Sequence, residues 1–523
     1  MTATAATARR PAVLLINPRI CSRRSIRLPL SLLALGAVLE GEYRYRILDG
    51  NVEADLAGAA LRFLAAEPDA VVGVSVMPGP QVGPAIAISA ALRAARPEVP
   101  IVWGGYFPTL YPVAAINAPY VDYVVRGQGE ETLLELLAAL PDAGPPTGPL
   151  ASARDPSVPA AIRGLTFKDG AGVRHTADRA ARPPDELPPL PYERLGDVGQ
   201  YLRPSFMGSR TAVHQAAVGC RYHCEFCGVV SMWNGHTRLQ GAARLAAAGA
   251  TLRDRWGATS LQLYDHNFFD TEAASVPLLE ALAGLGMPWW CYARADTLAG
   301  FSAATWQLIR RSRLAMAYIG AESASDEALL RMKKGSRVEH TLEVAHRCRE
   351  HGVIPEFSFV LGGPDDPAGE IERTFQFIRR IKAAHPDCEV VLYFYSPTPR
   401  REPASEQTRA AGLRLPMLAR YGPEGPELPA TPEEWTTQRW LDYVCHRDAP
   451  WLDARLRRRV NDFATVLGCR FPTVQDHRTP AWGKALLRTL ASWRYGTGRY
   501  GSPWELALAQ RLFKVREPQS ESL

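Results

Sequence analysis

The chain has 523 residues, 46% hydrophobic and 22% charged, which is ordinary for a globular protein and enough for roughly two to four cores. Its 60 Lys and Arg against 54 Asp and Glu leave a net charge of +6, too small over this length to mark a nucleic-acid-binding surface. No run of about 18 uncharged apolar residues occurs, and the N-terminal MTATAATARR lacks the apolar region and cleavage site of a secretory leader, so no membrane span and a cytoplasmic location are expected.

Residues 1–140 alternate strand-like and helix-like runs. The strand runs are AVLLIN (12–17), YRILD (45–49), VVGVSV (71–76), IVWGG (101–105) and YVDYVV (120–125). Such alternation predicts a doubly wound, Rossmann-like parallel sheet, whose ligands bind outside the carboxyl ends of the strands. Polar and glycine residues stand at those ends: Asp49-Gly50-Asn51, Ser75 to Gly79, Gly104-Gly105 and Arg126-Gly127-Gln128-Gly129-Glu130. Bare backbone there suits a phosphate or a large cofactor, and plain tight turns are the alternative reading.

Residues 141–205 read as a linker rich in proline and glycine, interrupted by a hairpin pattern, GLTFKDGAGVRHT. Residues 206–400 return to alternation, with six strand runs at 212–218, 261–265, 289–294, 315–320, 355–361 and 390–395. Six parallel strands with outer helices predict a partial (β/α)6 barrel, with its chemistry at the carboxyl ends of the strands. Residues 401–523 read as mainly helical, with Trp435, Trp440, Trp451 and Trp482 as candidate walls over the barrel mouth or as plain core.

Six of the nine cysteines are scattered, as expected of reduced thiols. The other three, Cys220, Cys224 and Cys227, crowd into eight residues directly after the first barrel strand. Thiolates at CxxxCxxC spacing can take three corners of a cube-shaped 4Fe–4S cluster and leave the fourth iron open to a small molecule. Structural zinc is the alternative, but it takes four ligands, and His223 lies between the cysteines with no second pair nearby.

The loop Gly219-Cys220-Arg221-Tyr222-His223-Cys224-Glu225-Phe226-Cys227-Gly228, with an aromatic before its last cysteine, resembles the signature of the radical S-adenosylmethionine (SAM) superfamily. Asp265-His266-Asn267-Phe268-Phe269-Asp270, Gly320-Ala321-Glu322-Ser323, Leu330 to Gly335 and Leu361-Gly362-Gly363-Pro364 resemble later strand ends of its cobalamin-binding branch. Ser75 to Gln81, Trp103 to Thr109 and Val125 to Thr132 resemble the cobalamin domain of that branch. The resemblance covers roughly residues 11–400. It implies cluster ligands Cys220, Cys224 and Cys227; SAM contacts at Phe226, Glu322, Ser323, Gly362 and Gly363; and cobalamin contacts at Ser75, Met77, Gly79, Gly104, Gly105, Gly127, Gly129 and Glu130. No catalytic acid or base is assigned.

Many cobalamin domains carry Asp-x-His-x-x-Gly after the first strand, whose histidine ligates cobalt. Here that stretch reads Asn17-Pro18-Arg19-Ile20-Cys21-Ser22. Either cobalt is held without a histidine below it or the domain has lost cobalamin; the resemblance and the glycine loops favour the first. The implied activity is methylation of an unactivated carbon of a small molecule, supplied with single electrons by a flavodoxin- or ferredoxin-type reductant. Oxidative cyclisation or rearrangement is the second enzymatic reading. A non-catalytic corrinoid or electron carrier is the third, and it fits poorly because a carrier cluster favours four cysteine ligands.

Overall fold

A computed structural model describes residues 10–23, 25–140, 157–169, 172–233, 235–396, 428–447, 449, 452–475 and 479–513. The chain divides into two compact units, Met1–Tyr201 with Gly228–Arg238 and Thr398–Val444, and Leu202–Cys227 with Leu239–Pro397 and Cys445–Leu523. Among the described residues no helix is long and apolar enough to cross a membrane.

In the first unit, β1 (Val13–Asn17), β2 (Tyr45–Asp49), β3 (Val71–Ser75), β4 (Ile101–Gly104) and β5 (Tyr123–Val125) form a parallel sheet in the order β2-β1-β3-β4-β5. These strands read as near-continuous apolar runs because helices cover both faces of a parallel sheet. Leu14, Ile16, Val72, Val74 and Trp103 are accordingly buried. The order reverses between β1 and β3, the topological switch point where such sheets bind ligands.

The hairpin expected inside the linker is part of this sheet. Its strands β6 (Leu165–Asp169) and β7 (Gly172–His175) add antiparallel to β5, with Tyr123 opposite Phe167. The cause is Arg126. Its buried guanidinium donates to Leu165 O at 2.7 Å and Thr176 O at 2.6 Å, and pairs with Asp178 at 3.0 Å. Removing it would cost several charge-assisted bonds that tie the end of β5 to the hairpin.

Trp435 and Trp440 do not line a barrel mouth; they complete the core of the first unit. The Trp435 ring lies 4.1 Å from Tyr111, 5.8 Å from Phe107 and 5.0 Å from Trp440. Tyr120 fixes this segment by donating to Glu433 at 2.7 Å. Large aromatics find a core by shape and area, so sequence spacing did not say which core they fill.

In the second unit, β8 (Arg203–Ser205) and β9 (Gly208–His214) precede the short strand β10 (Ala217–Gly219); a further short strand, β11 (Thr237–Leu239), follows the cysteine loop in sequence. β12 (Ser260–Leu263), β13 (Trp289–Arg294), β14 (Leu314–Glu322), β15 (Ile354–Leu361) and β16 (Glu389–Phe394) follow. The curled half-barrel sheet runs β16-β15-β14-β13-β12-β9-β8, six parallel strands closed by the antiparallel β8. Trp289, Trp306, Phe268 and Phe269 are buried, and Phe268 lies 5.0 Å from Trp289 and 4.9 Å from Phe269.

The C-terminal helices Ala454–Arg470, Ala481–Thr497 and Trp504–Phe513 belong to this unit. At the carboxyl ends of the strands, His446 O accepts from Phe394 N, and Leu452 fills the space beside Gly362. At the amino ends, Gln475 donates to Glu356 at 2.8 Å and Glu389 at 3.0 Å. The chain therefore crosses from the mouth side to the opposite end between residues 452 and 475. Trp482 stands 66% exposed on the second of these helices and is no wall of the mouth. Trp451 lies outside the described residues.

Candidate functional site

The run expected as one strand over 212–218 breaks after His214, and the break sets up the cysteine loop. Asp265, at the end of β12, accepts on Oδ1 from both Ala216 N and Ala217 N at 2.7 Å. His266 Nδ1 accepts from Gly219 N at 3.1 Å, and Gly219 holds a left-handed φ of 74° that favours glycine. Arg221 pairs with Asp270 at 3.4 Å. The Asp265–Asp270 loop thus grips the backbone just before Cys220 and the residue just after it. Burial pushes the Asp265 carboxyl up to about 7, against the two N–H bonds that pull it down. Desolvation lowers His266 to about 4.

The segment after β14 holds the loop from the other side. Glu225 N donates to Met332 O at 2.8 Å, and Lys333 pairs with Glu225 at 2.5 Å. Arg294, at the end of β13, donates to Cys224 Sγ at 3.5 Å and lies 3.5 Å over the Tyr222 ring. A fork to Asp296 at 3.0 and 2.9 Å, together with Lys334 O, fixes its guanidinium. Burial raises the Cys220 thiol, while nearby Arg294 and Lys334 pull it down.

The expected SAM residues come together. Lys334 donates to Glu322 at 2.7 Å, and both are almost fully buried. Gly320 makes room for this pair, since a Cβ there would lie 2.1 Å from Glu322 Oε1 and 2.5 Å from Lys334 Nζ. Glu322 carries a φ of 61°, inside a three-residue turn closed by Ser323 N to Ala321 O at 2.8 Å. A positive φ on a non-glycine residue at a strand end is strain of the kind that collects at ligand sites. Lys334 Nζ lies 5.9 Å from the Phe226 ring centre, and Glu370 bridges the rest, accepting from Ser323 Oγ at 3.3 Å and Gly363 N at 3.1 Å.

Sequence reasoning missed Arg294, Lys334 and Glu370 as members of the site. Lys334 and Glu370 lie in or near segments that carried the resemblance, but only the fold pairs them. It also missed a row on the face of the sheet that carries Arg294 and Glu322: Trp290, Tyr292, Tyr318 and Tyr393. Tyr292 and Tyr318 are 5.1 Å apart, and Tyr318 donates to Tyr393 at 3.0 Å.

In the first unit, the expected cobalamin residues share the carboxyl edge of β3, β4 and β5. Gly79, Gly105 and Gly127 hold left-handed φ of 87°, 96° and 72°, leaving bare backbone there. A Cβ on Gly105 would lie 3.1 Å from Ser75 Oγ and from Val76 N, whereas one on Gly104 meets nothing closer than 3.7 Å. Gly127 N donates to Thr109 Oγ1, Met77 N donates to Gln81, and Gly129 opens the helix Glu130–Ala139. Burial raises the Glu130 carboxyl. In the stretch that lacks the Asp-x-His motif, Gln81 binds Asn17 and Pro18 O at 2.8 and 2.6 Å. Asn51 accepts from Ile20 N at 2.9 Å and Cys21 N at 3.2 Å.

These donor sets fit the groups they would hold. Three thiolates beside two buried cations suit an anionic iron–sulfur cluster. Among the described residues no three His, Cys, Asp or Glu side chains are arranged around a single ion, and cluster thiolates need not be, because each takes a different iron. The glycine-lined edge of the first unit suits the close approach of a large cofactor.

Residues 20–137 match the family model of the B12 binding domain, and residues 215–378 match that of the Radical SAM superfamily. The chain joins a B12 binding domain to a radical SAM domain. An uncharacterized methyltransferase of Pyrococcus horikoshii is 25% identical over 361 residues, covering 68% of this chain and 73% of that protein. The anaerobic magnesium-protoporphyrin IX monomethyl ester cyclase of Rubrivivax gelatinosus is 23% identical over 54% of this chain; the match spans about half of that protein, 49%. The structure of the radical SAM methyltransferase TsrM from Kitasatospora setae, with cobalamin and a [4Fe-4S] cluster bound, superposes with a TM-score of 0.61 at 18% identity. It covers 96% of this chain and 98% of that one, a likeness of fold. The chain is an enzyme of cobalamin-dependent radical SAM, methyltransferase-like architecture, and its cofactors are those of its two domains: a 4Fe–4S cluster, SAM and cobalamin.

Proposed function

We propose that this enzyme methylates an unactivated carbon of a small molecule. The observation that carries the reading is a three-cysteine loop, gripped on both sides, in one chain with a B12 binding domain. When bound, the cluster supplies an electron at an open iron to cleave SAM, and cobalamin supplies a transferable methyl group.

The chain's own residues position and enclose. Cys220, Cys224 and Cys227 ligate the irons. Arg294 donates to one thiolate and offsets the negative charge. Glu322, held by Lys334, and Ser323, held by Glu370, present acceptors to the ammonium and hydroxyl donors of SAM. Phe226, Gly362 and Gly363 offer ring and backbone. Ser75, Met77, Gly79, Gly104, Gly105, Gly127, Gly129 and Glu130 would hold cobalamin, and the stretch Asn17 to Ser22 offers it no histidine. The row from Trp290 to Tyr393 gives the substrate an aromatic wall with polar tips. Electrons come from a flavodoxin- or ferredoxin-type protein, and the work is cytoplasmic, where thiols stay reduced.

The test is anaerobic incubation with methyl-deuterated SAM and extract of the host, followed by mass spectrometry. Methyl transfer predicts a labelled product, with one 5′-deoxyadenosine and one S-adenosylhomocysteine per product formed. Similarity to a cyclase favours oxidative cyclisation as the second reading, which predicts 5′-deoxyadenosine without stoichiometric S-adenosylhomocysteine. An unlabelled product of altered connectivity would promote it.

A further inference from the structure

Seven of the nine large hydrophobic side chains that stand exposed among the described residues lie within two neighbouring C-terminal helices. Trp482, Leu486, Leu490 and Trp493 follow one another at helical spacing on Ala481–Thr497; Trp504, Leu508 and Leu512 do so on Trp504–Phe513. They are between 44% and 73% exposed. The face next to this stripe on the first helix, Gly483, Leu487 and Ala491, is already buried against the protein, as are Leu506 and Ala509 of the second. Each helix thus carries a buried apolar face and, next to it, an apolar stripe that stands exposed. Scattered exposed leucines are normal, but two continuous stripes with three tryptophans are the mark of an interaction surface.

The helix pair is a fixed platform. Arg494 closes the turn between the helices, donating to Gly501 O at 2.9 Å while paired with Glu505. Arg379 anchors the pair to the outer helix Pro367–Ala384, donating to Tyr495 O at 2.7 Å and the Tyr500 hydroxyl at 2.9 Å.

Charge selects the occupant. Over residues 481–513 the chain has five basic residues, Lys484, Arg488, Arg494, Arg499 and Arg511, against one acid, Glu505, which Arg494 neutralises. Arg499 and Arg511 are exposed beside the stripes, and the Arg499 guanidinium lies 5.5 Å over the Trp493 ring. Leucine on one face, tryptophan near the ends and arginine at the border is the composition of helices that lie in the headgroup region of a bilayer. A second copy of the chain would bring the same arginines face to face. An electron donor must reach the cysteine loop at the carboxyl ends of the strands, whereas Lys484 ties the start of this platform to Thr473 O, and Thr473 binds Glu389 at the amino end of β16.

We propose that the two C-terminal helices dock the enzyme peripherally on an anionic lipid surface. The test is flotation of the full-length holoenzyme with vesicles of phosphatidylcholine alone and of phosphatidylcholine mixed with phosphatidylglycerol, with tryptophan emission recorded. Wild-type protein should float with the anionic vesicles and shift its emission to the blue. Leu486→Ser, Leu490→Ser, Leu508→Ser and Leu512→Ser combined should weaken binding by at least about tenfold, and Arg499→Glu and Arg511→Glu combined should erase the preference for anionic lipid. SAM cleavage by both variants should stay at the wild-type level, which separates lost docking from lost folding. Wild-type enzyme that cleaves SAM but floats with neither vesicle would overturn the proposal. So would a concentration-dependent dimer abolished by the leucine changes, which would assign the face to a second copy.

Discussion

The two parallel sheets put similar sequence material, glycines and short polar residues, at the carboxyl ends of their strands, yet the two edges differ in kind. The half-barrel edge is packed with buried charge in matched sets: Arg294 with Asp296, Lys334 with Glu322, and Glu370 over Ser323 and Gly363. Apart from Arg126, whose buried guanidinium serves the hairpin, the N-terminal edge is built mostly from neutral amides and hydroxyls, Asn17, Asn51, Gln81, Ser75 and Thr109. Its two buried carboxyls, Asp49 and Glu130, are both raised by burial toward the neutral form. Buried ions are costly unless paired, so they accumulate where the ligand is itself ionic, as a thiolate cluster and SAM are. A neutral amide edge suits a large ligand held by hydrogen bonds and shape.

The largest break in this comparison comes from the thiolates. Cys220→Ala, Cys224→Ala and Cys227→Ala should each abolish SAM cleavage and lower bound iron, measured by 5′-deoxyadenosine formation and iron assay, while Cys291→Ala or Cys348→Ala keeps the cluster. Next is the ionic pair. Glu322→Gln or Lys334→Met alone leaves a buried charge uncompensated and should cost about 3–5 kcal/mol in denaturant unfolding. The double variant should recover much of that stability, and still lose SAM binding.

A smaller effect concerns the grip on the cysteine loop. Asp265 is raised, so its contribution to stability is present at low pH and is lost as pH rises through about 7. His266 is lowered to about 4, so its contribution is lost as pH falls toward 4. The two slopes oppose each other between about pH 4 and 6.5. Relative to wild type, Asp265→Asn should make unfolding stability climb with pH across that window, and His266→Gln should make it fall. Identical pH profiles for all three proteins would sink this account of the loop. The smallest effect lies at the other edge. Gly105→Ala, at a left-handed φ and 3.1 Å from the Val76 backbone, should cost about 1–2 kcal/mol and weaken cobalamin binding. Gly104→Ala should do neither, because its Cβ finds room.

Most of this architecture was legible in the sequence because it is local. Every expected strand of both sheets is present within a few residues, since continuous β-branched and apolar runs between polar turns state a buried parallel strand directly. The cysteine spacing was equally plain. What stayed hidden was long-range pairing. Nothing in GLTFKDGAGVRHT says that its partner is β5, because the clamp is a single arginine about 40 residues earlier. The break after His214 was invisible because its cause, Asp265, lies 49 residues on. Trp435 and Trp440 were readable as buried, and the core they enter was not.

The central claim is that three cysteines hold a cluster whose fourth iron is open to SAM. Electron paramagnetic resonance of the anaerobically reduced, reconstituted enzyme, recorded with and without SAM, tests it most directly. A shift of the reduced-cluster signal on adding SAM, accompanied by 5′-deoxyadenosine release and absent in Cys224→Ala, is the predicted result. A signal that SAM leaves unchanged, in protein with full iron, would mean that no iron is open and would contradict the claim.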